Sequence, residues 1–340
     1  MKLGILDQAP LSAGRTARDA LEEAVRLAQA AERLGYSRYW MAEHHDLPGL
    51  ACSAPEIMLG LIGGQTRTIR LGAGAILLPY YRPYKVAETF NLLSTLFPGR
   101  IDLGIARSPG GSAEVSMALA DRFLENVWKL PEAFEELLRF LDGRHPEDHP
   151  YARIAASPIP PAPPEPWILG TSAKSAKLAA EQGVPYAYGH FMNAENAEEA
   201  IRLYRETFIP RRSLREPYVL LAVSAVCAET TERARSIALS SYAWRLQLAQ
   251  GSAPARGIPS IEDARRMLEG RDPEELGQRM GDSSAIGDPR EVRSRLEAWS
   301  RSYQADELMI MSYAHDFGDR LRSYELIARE LIPESAAGSP

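Results

Sequence analysis

Four short stretches of this chain carry side chains that bind anions, move protons or leave room for a flat ring. Glu43-His44-His45-Asp46 sets two imidazoles between two carboxylates, the usual ligand types of zinc and iron. Adjacent histidines argue against chelation from a strand, because successive strand residues point to opposite faces and strand-borne metal sites favour His-x-His spacing. The same alternation sends Ala42 and His44 one way and Glu43 and His45 the other, so one imidazole faces a ligand directly. A ring that titrates near neutrality suits proton transfer.

The second stretch, Gly170-Thr171-Ser172-Ala173-Lys174-Ser175, follows a short apolar run and opens a helical one. Hydroxyls and free backbone N–H groups at a helix N-terminus make an anion site; the plain alternative is an N-cap without a ligand. Arg107 ends the preceding apolar run in Ile105-Ala106-Arg107-Ser108-Pro109-Gly110-Gly111, where the glycines let backbone approach a ligand and a guanidinium can take an oxyanion. A surface ion pair is the alternative for Arg107. If the two runs are neighbouring strands, Arg107 and the serine turn converge on one phosphate.

Third, Gly72-Ala73-Gly74-Ala75 interrupts an otherwise bulky run, which either frees space for a flat ring or relieves a crowded barrel interior. Last, Gln8, Tyr80, Tyr81, His190 and Phe191 sit at the ends of apolar runs, where they would wall a small-molecule pocket or simply pack.

These stretches need a scaffold that gathers successive strand ends. Runs of strand character at 2–7, 39–43, 69–78, 100–106, 167–170, 186–189, 218–228 and 307–311 alternate with amphipathic helical stretches. That order predicts parallel βα units and, at eight, a (β/α)8 TIM barrel with its site at the C-terminal strand ends. One domain is expected over 1–332. Within it, 143–166 is a Pro-rich excursion without periodicity, and 251–287 is rich in Gly, Pro and Ser, a candidate lid. A frayed tail is expected at 333–340.

The net charge of −6 is spread evenly, so no basic stripe offers a footprint for nucleic acid or an anionic membrane. No run of about 18 apolar residues appears, and the apolar start after Met1 is too short for a signal peptide; a cytoplasmic protein acting on small molecules is expected. The two cysteines, Cys52 and Cys227, suggest neither a disulfide framework nor a metal site, and no metal is expected.

Leu6-Asp7-Gln8-Ala9-Pro10, Ala42-Glu43-His44-His45, Arg70 to Pro79 and Gly99 to Arg107 together resemble the bacterial luciferase-like flavin monooxygenases. The likeness continues through Ile286-Gly287-Asp288-Pro289 and Ala305 to Met309. Thr171 stands where an acidic residue would precede the phosphate-binding serine of luciferase proper, so the resemblance is to the non-luminescent branch.

The resemblance implies the same barrel and reduced FMN supplied by a separate flavin reductase. O2 then adds at flavin C4a to give a peroxide that oxidises a small organic substrate. It further implies that Arg107, Gly170, Thr171, Ser172 and Ser175 hold the flavin phosphate, that Ala73, Gly74 and Ala75 pass under the ring with a cis bond between Gly74 and Ala75, and that His44 is the active-site histidine. A homodimer paired through helices beside the early strands is implied as well. Three rivals stay open: an F420-dependent dehydrogenase of the same superfamily, a flavin-binding protein without turnover, and a metal-dependent barrel hydrolase using Glu43, His45 and Asp7.

Overall fold

The protein is represented by a computed structural model that describes residues 1–47, 49–212, 214–249, 257–271 and 284–333. Among the described residues nine strands form: β1 (Lys2–Asp7), β2 (Arg38–Met41), β3 (Arg70–Leu77), β4 (Ile101–Ala106), β5 (Glu165–Gly170), β6 (Tyr186–Gly189), β7 (Val219–Cys227), β8 (Ser284–Gly287) and β9 (Glu307–Met311). The first seven pair in chain order, β7 pairs with β9, and β9 returns to β1, every contact parallel. Eight strands thus close a ring, and the expected (β/α)8 barrel is the fold.

The ninth strand corrects one expectation. Ser284–Gly287, the end of the stretch read as a lid, pairs with Ser224–Cys227 of β7 outside the ring. The physical reason is a free edge: β9 follows β7 only as far as Ser224, and the short apolar run takes up the hydrogen bonds left beyond it. Of the remaining lid stretch, Ile258 is tied to the β1 loop, donating to Leu11 O at 2.8 Å and accepting from Ala13 N at 2.9 Å. Residues 251–256 and 272–283, and 334–340 of the expected tail, lie outside the described residues.

The helices are α1 (Ala17–Arg33), α2 (Pro55–Gly63), α3 (Pro83–Leu96), α4 (Ala113–Leu119), α5 (Phe123–Trp128), α6 (Leu130–Asp142), α7 (Ala173–Glu181), α8 (Ala197–Thr207), α9 (Thr231–Ala249), α10 (Ile261–Met267), α11 (Pro289–Ser302) and α12 (Phe317–Leu331). Their starts follow ordinary rules. Thr16 and Asp288 make capping boxes, while α2, α3 and α11 begin with Pro, whose missing N–H goes unneeded in a first turn. The buried stripe of α1 includes Ala24, Leu27, Ala28 and Ala31, the i, i+3, i+4, i+7 face that covers a barrel wall.

Strand alternation separates two cores. Leu3, Ile5, Tyr39, Met41 and Ile168 face the helices, while Leu6, Trp40, Trp167, Leu220 and Met309 fill the lumen. Burying each such side chain is worth about 1.5–3 kcal/mol, so a one-residue slip in any strand would exchange the two sets and is strongly disfavoured. The N-terminal end of the barrel is closed by Arg38, which pairs with Asp102 at 2.8 Å and Glu307 at 2.9 Å. Trp40 Nε1 donates to the same Asp102 at 2.9 Å. With that end plugged by charges and two tryptophans, the lumen opens above them.

Candidate functional site

A cavity of about 460 Å³ lies above the tryptophans, walled by the C-terminal ends of strands on both sides of the ring. Along β2 the alternation Arg38, Trp40, Ala42, His44 runs up one side of the lumen, and His44 borders the cavity. Its backbone N–H donates to Cys52 O at 3.0 Å. Its Nδ1 is buried without a partner. Burial, with a smaller contribution from His45, lowers the His44 pKa to about 4, so the ring is neutral at physiological pH.

His45 points elsewhere. Its Nε2 lies 2.8 Å from Glu43 Oε1, which also accepts from Tyr81 OH at 2.7 Å, while Glu43 Oε2 accepts from Leu77 N at 2.9 Å. Glu43 therefore locks the loop that carries His44 onto the end of β3. Asp7 is occupied by Ala9 N and by Arg320 Nη2 at 2.8 and 2.5 Å, so Glu43, His45 and Asp7 are not gathered at one point.

On β3, Gly74 and Ala75 line the cavity, and the bond between them is cis. A Cβ on Gly74 would stand 2.9 Å from Leu6 Cδ1 and 3.0 Å from Trp40 Cε3, so glycine keeps this floor thin. Ala73 departs from the expectation: by alternation it packs into the outer core and is not among the lining residues. Gly110, with φ of 61°, brings the β4 loop against the β2 loop, its carbonyl accepting from His45 N at 2.8 Å; a side chain there would collide with Leu77.

The anion-type residues do meet. Arg107, Gly170, Thr171, Ser172 and Ser175 share one wall of the cavity. Ser172 caps α7 reciprocally with Ser175, which accounts for both hydroxyls without a ligand. Capping does not account for Arg107, whose Nη2 donates to Ser172 Oγ at 3.2 Å. Among the described residues no carboxylate pairs with Arg107, so its charge is balanced by no neighbour. A helix N-terminus plus an unpaired guanidinium beside a thin, apolar floor fits a phosphate attached to a flat ring.

The expected pocket residues divide. Gln8 lines the cavity, its Oε1 accepting from Tyr313 OH, and Phe191 lines it too. Tyr80, Tyr81 and His190 do not. Tyr80 follows a 3₁₀ turn outward, bonds to Pro109 O at 2.6 Å and stacks on Phe123. Tyr81 serves Glu43. His190 lies on the outward phase of β6, one residue past lumen-side Gly189, and packs between Trp299 and Tyr303 with 1% exposure. Val127, Met192 and Leu169 also border the cavity; Leu169 shares the lumen-facing phase of Trp167 on β5, whereas Val127 on the short α5 and Met192 in the turn after β6 carry no spacing signal that marks them.

A family model described as luciferase-like monooxygenase matches residues 1–305. The uncharacterized protein YceB of Bacillus subtilis (strain 168) is 42% identical over 326 residues, 96% of this chain and 98% of that one. The N-acetyl-S-alkylcysteine monooxygenase of the same organism is 36% identical, covering 98% of both chains. Among solved structures, apo-MsnO8 superposes with a TM-score of 0.86 at 36% identity, covering 97% of each chain. The fold alone is shared with the FMN-bound oxygenating constituent of 3,6-diketocamphane monooxygenase from Pseudomonas putida (TM-score 0.74, 20% identity, 97% of each chain). An F420-dependent secondary alcohol dehydrogenase shares it as well (TM-score 0.60, 15% identity, 98% of this chain and 99% of that one).

Proposed function

The chain belongs to the luciferase-like monooxygenase family, and from that premise we propose that it is an oxygenase using reduced FMN and O2 on a small organic substrate. The observation that carries the choice of cofactor is Arg107, unpaired by any described carboxylate, reaching Ser172 at the rim of a cavity whose floor is Gly74-Ala75. Reduced FMN, when bound, would supply the electrons that activate O2.

The protein's own residues have five tasks in this reading. Arg107, Thr171, Ser172, Ser175 and the N-terminus of α7 hold the phosphate. Gly74 and Ala75 support the ring, and Leu6, Leu169 and Phe191 exclude water. His44 faces the remaining space, and its Nε2 holds or passes a proton beside the reacting atoms, the neutral ring acting first as acceptor. Glu43 fixes the loop so that this imidazole is presented and His45 is not. A separate reductase, a cytoplasmic setting and a homodimer complete the reading.

The test is an anaerobic titration with oxidised FMN, reduced FMN and F420, followed by oxygen-uptake measurements on the complex. Tight binding of reduced FMN, at least tenfold tighter than the other two, together with substrate-dependent oxygen uptake, is expected. Binding of F420 alone would replace oxygenation with hydride transfer, and absence of any flavin binding would remove the reading altogether.

A further inference from the structure

Away from the barrel mouth, the excursion after α6 carries a second set of chemical groups. Gly143, in the left-handed region at φ 62°, ends α6 and turns the chain back along its own last turns. Pro146 O then accepts from His149 N at 3.0 Å, and His149 O from Ala152 N at 3.0 Å. This tight turn returns His145 and His149 to the helix face that bears Glu136. His145 Nε2 lies 3.1 Å from Glu136 Oε1, and His149 Nε2 lies 3.6 Å from Glu136 Oε2. One donor atom from each of the three residues falls within a 4.8 Å span.

We propose that Glu136, His145 and His149 bind one divalent ion of the zinc class and thereby clip the Pro-rich excursion to α6. Two imidazoles and a carboxylate are a donor set zinc accepts, and bonds of 2.0–2.2 Å in a tetrahedron place donors about 3.3 Å apart. The separations of 3.1 Å from His145 to Oε1 and 3.6 Å from His149 to Oε2 of Glu136 lie on either side of that figure, and with a full span of 4.8 Å the three donors need to draw in by about an ångström to close on one ion. The His145 side chain is 3% exposed and is held by Phe140 at 4.5 Å and His149 at 4.8 Å between ring centroids. The outer side, at Glu136 and His149, is partly open, which leaves a water the fourth position.

Competing contacts are weak. Arg139 reaches Glu136 only at 3.8 Å and has Glu135 as its nearer partner, and His149 Nδ1 holds Tyr151 N–H at a long 3.3 Å. Between residues 132 and 150, six carboxylates stand against two arginines; Asp142 is taken up by Arg211 and Arg212, and the remaining excess of negative charge draws cations. The site is independent of any flavin, so its fate does not depend on the cofactor reading.

The test uses untagged full-length protein, stripped with EDTA and titrated with Zn²⁺ against a chromogenic indicator. One Zn²⁺ per chain is expected, with intense visible bands when Co²⁺ replaces it. Zn²⁺ should raise the thermal midpoint by about 2 °C or more and slow tryptic cleavage at Arg144 and Arg153. Glu136→Gln, which keeps size, and His145→Phe, which keeps the ring contacts, should each abolish uptake and both protections while leaving the midpoint in EDTA unchanged. Failure of the parent to take up stoichiometric Zn²⁺, or full uptake by both variants, overturns the proposal; should His145→Phe not fold, Glu136→Gln alone decides.

Discussion

Arg107 at the end of β4 donates to Ser172 Oγ at the start of α7, joining residues 65 apart in sequence at the rim of one cavity. If the pair holds a phosphate, Arg107→Ala should weaken FMN binding about 10–100-fold, the worth of a hydrogen bond to a charged group. Riboflavin, which lacks the phosphate, should bind parent and variant within twofold. Fluorescence titrations with both ligands check this, and equal losses would place Arg107 elsewhere.

His44→Ala should lower substrate oxidation about 100-fold or more, the ordinary worth of a positioned proton carrier, with FMN affinity within threefold. Because burial holds the imidazole at a pKa of about 4, the defect should be as large at pH 6 as at pH 8. Steady-state rates across that range measure it; a parent profile with an acid limb near 6.5 that disappears in the variant would contradict a neutral His44.

Glu43 receives donors from His45, Tyr81 and Leu77 and is 2% exposed. Glu43→Ala strands three groups and should cost about 3 kcal/mol or more in urea unfolding. Tyr81→Phe should cost about 1 kcal/mol, and both should lower turnover by displacing the His44 loop. A Glu43→Ala protein with parental stability would show that the network is not what holds it.

His190 predicts an acid-sensitive stability. Burial, with a smaller effect of Arg295, lowers its pKa to about 4, against about 6.5 unfolded. Above 6.5 both states are neutral and its contribution is whole. As pH falls through 6.5 the unfolded chain takes a proton that the folded one refuses, so stability declines until about pH 4. Between pH 7.5 and 5, His190→Phe should lose about 2 kcal/mol less than the parent, measured as the difference of urea midpoints at unchanged slope.

Period-2 patterning was enough to mark all eight ring strands within a few residues, because each strand must present one set of side chains to the lumen and the other to the helices. The serine turn and Arg107 were legible for a similar reason, since strand order alone makes them neighbours. Tyr80, Tyr81 and His190 were not, because beyond a strand end a turn or one further residue reverses the direction of a side chain; His190 shows this beside lumen-facing Gly189. Glu43 was placed opposite His44 by the same alternation, but its part as a shared acceptor depends on β3 and its following turn coming alongside. Ser284–Gly287 looks like loop until a free edge is offered to it, and Glu136, His145 and His149 share no spacing that a helix or strand would register.

The fork on β7 bears on how such a protein can change. Ser224 is the residue at which pairing with β9 stops and pairing with β8 starts, so the ring is complete before β8 is added. Lengthening or shortening the chain between α9 and β8 slides a strand along an open edge without altering the stagger of the closed wall. Outside Ile258, which is tied to the β1 loop, a change of length in that connection leaves the closed wall as it is, while the same insertion between β3 and β4 would disturb the Gly74-Ala75 floor and the Arg107 corner together.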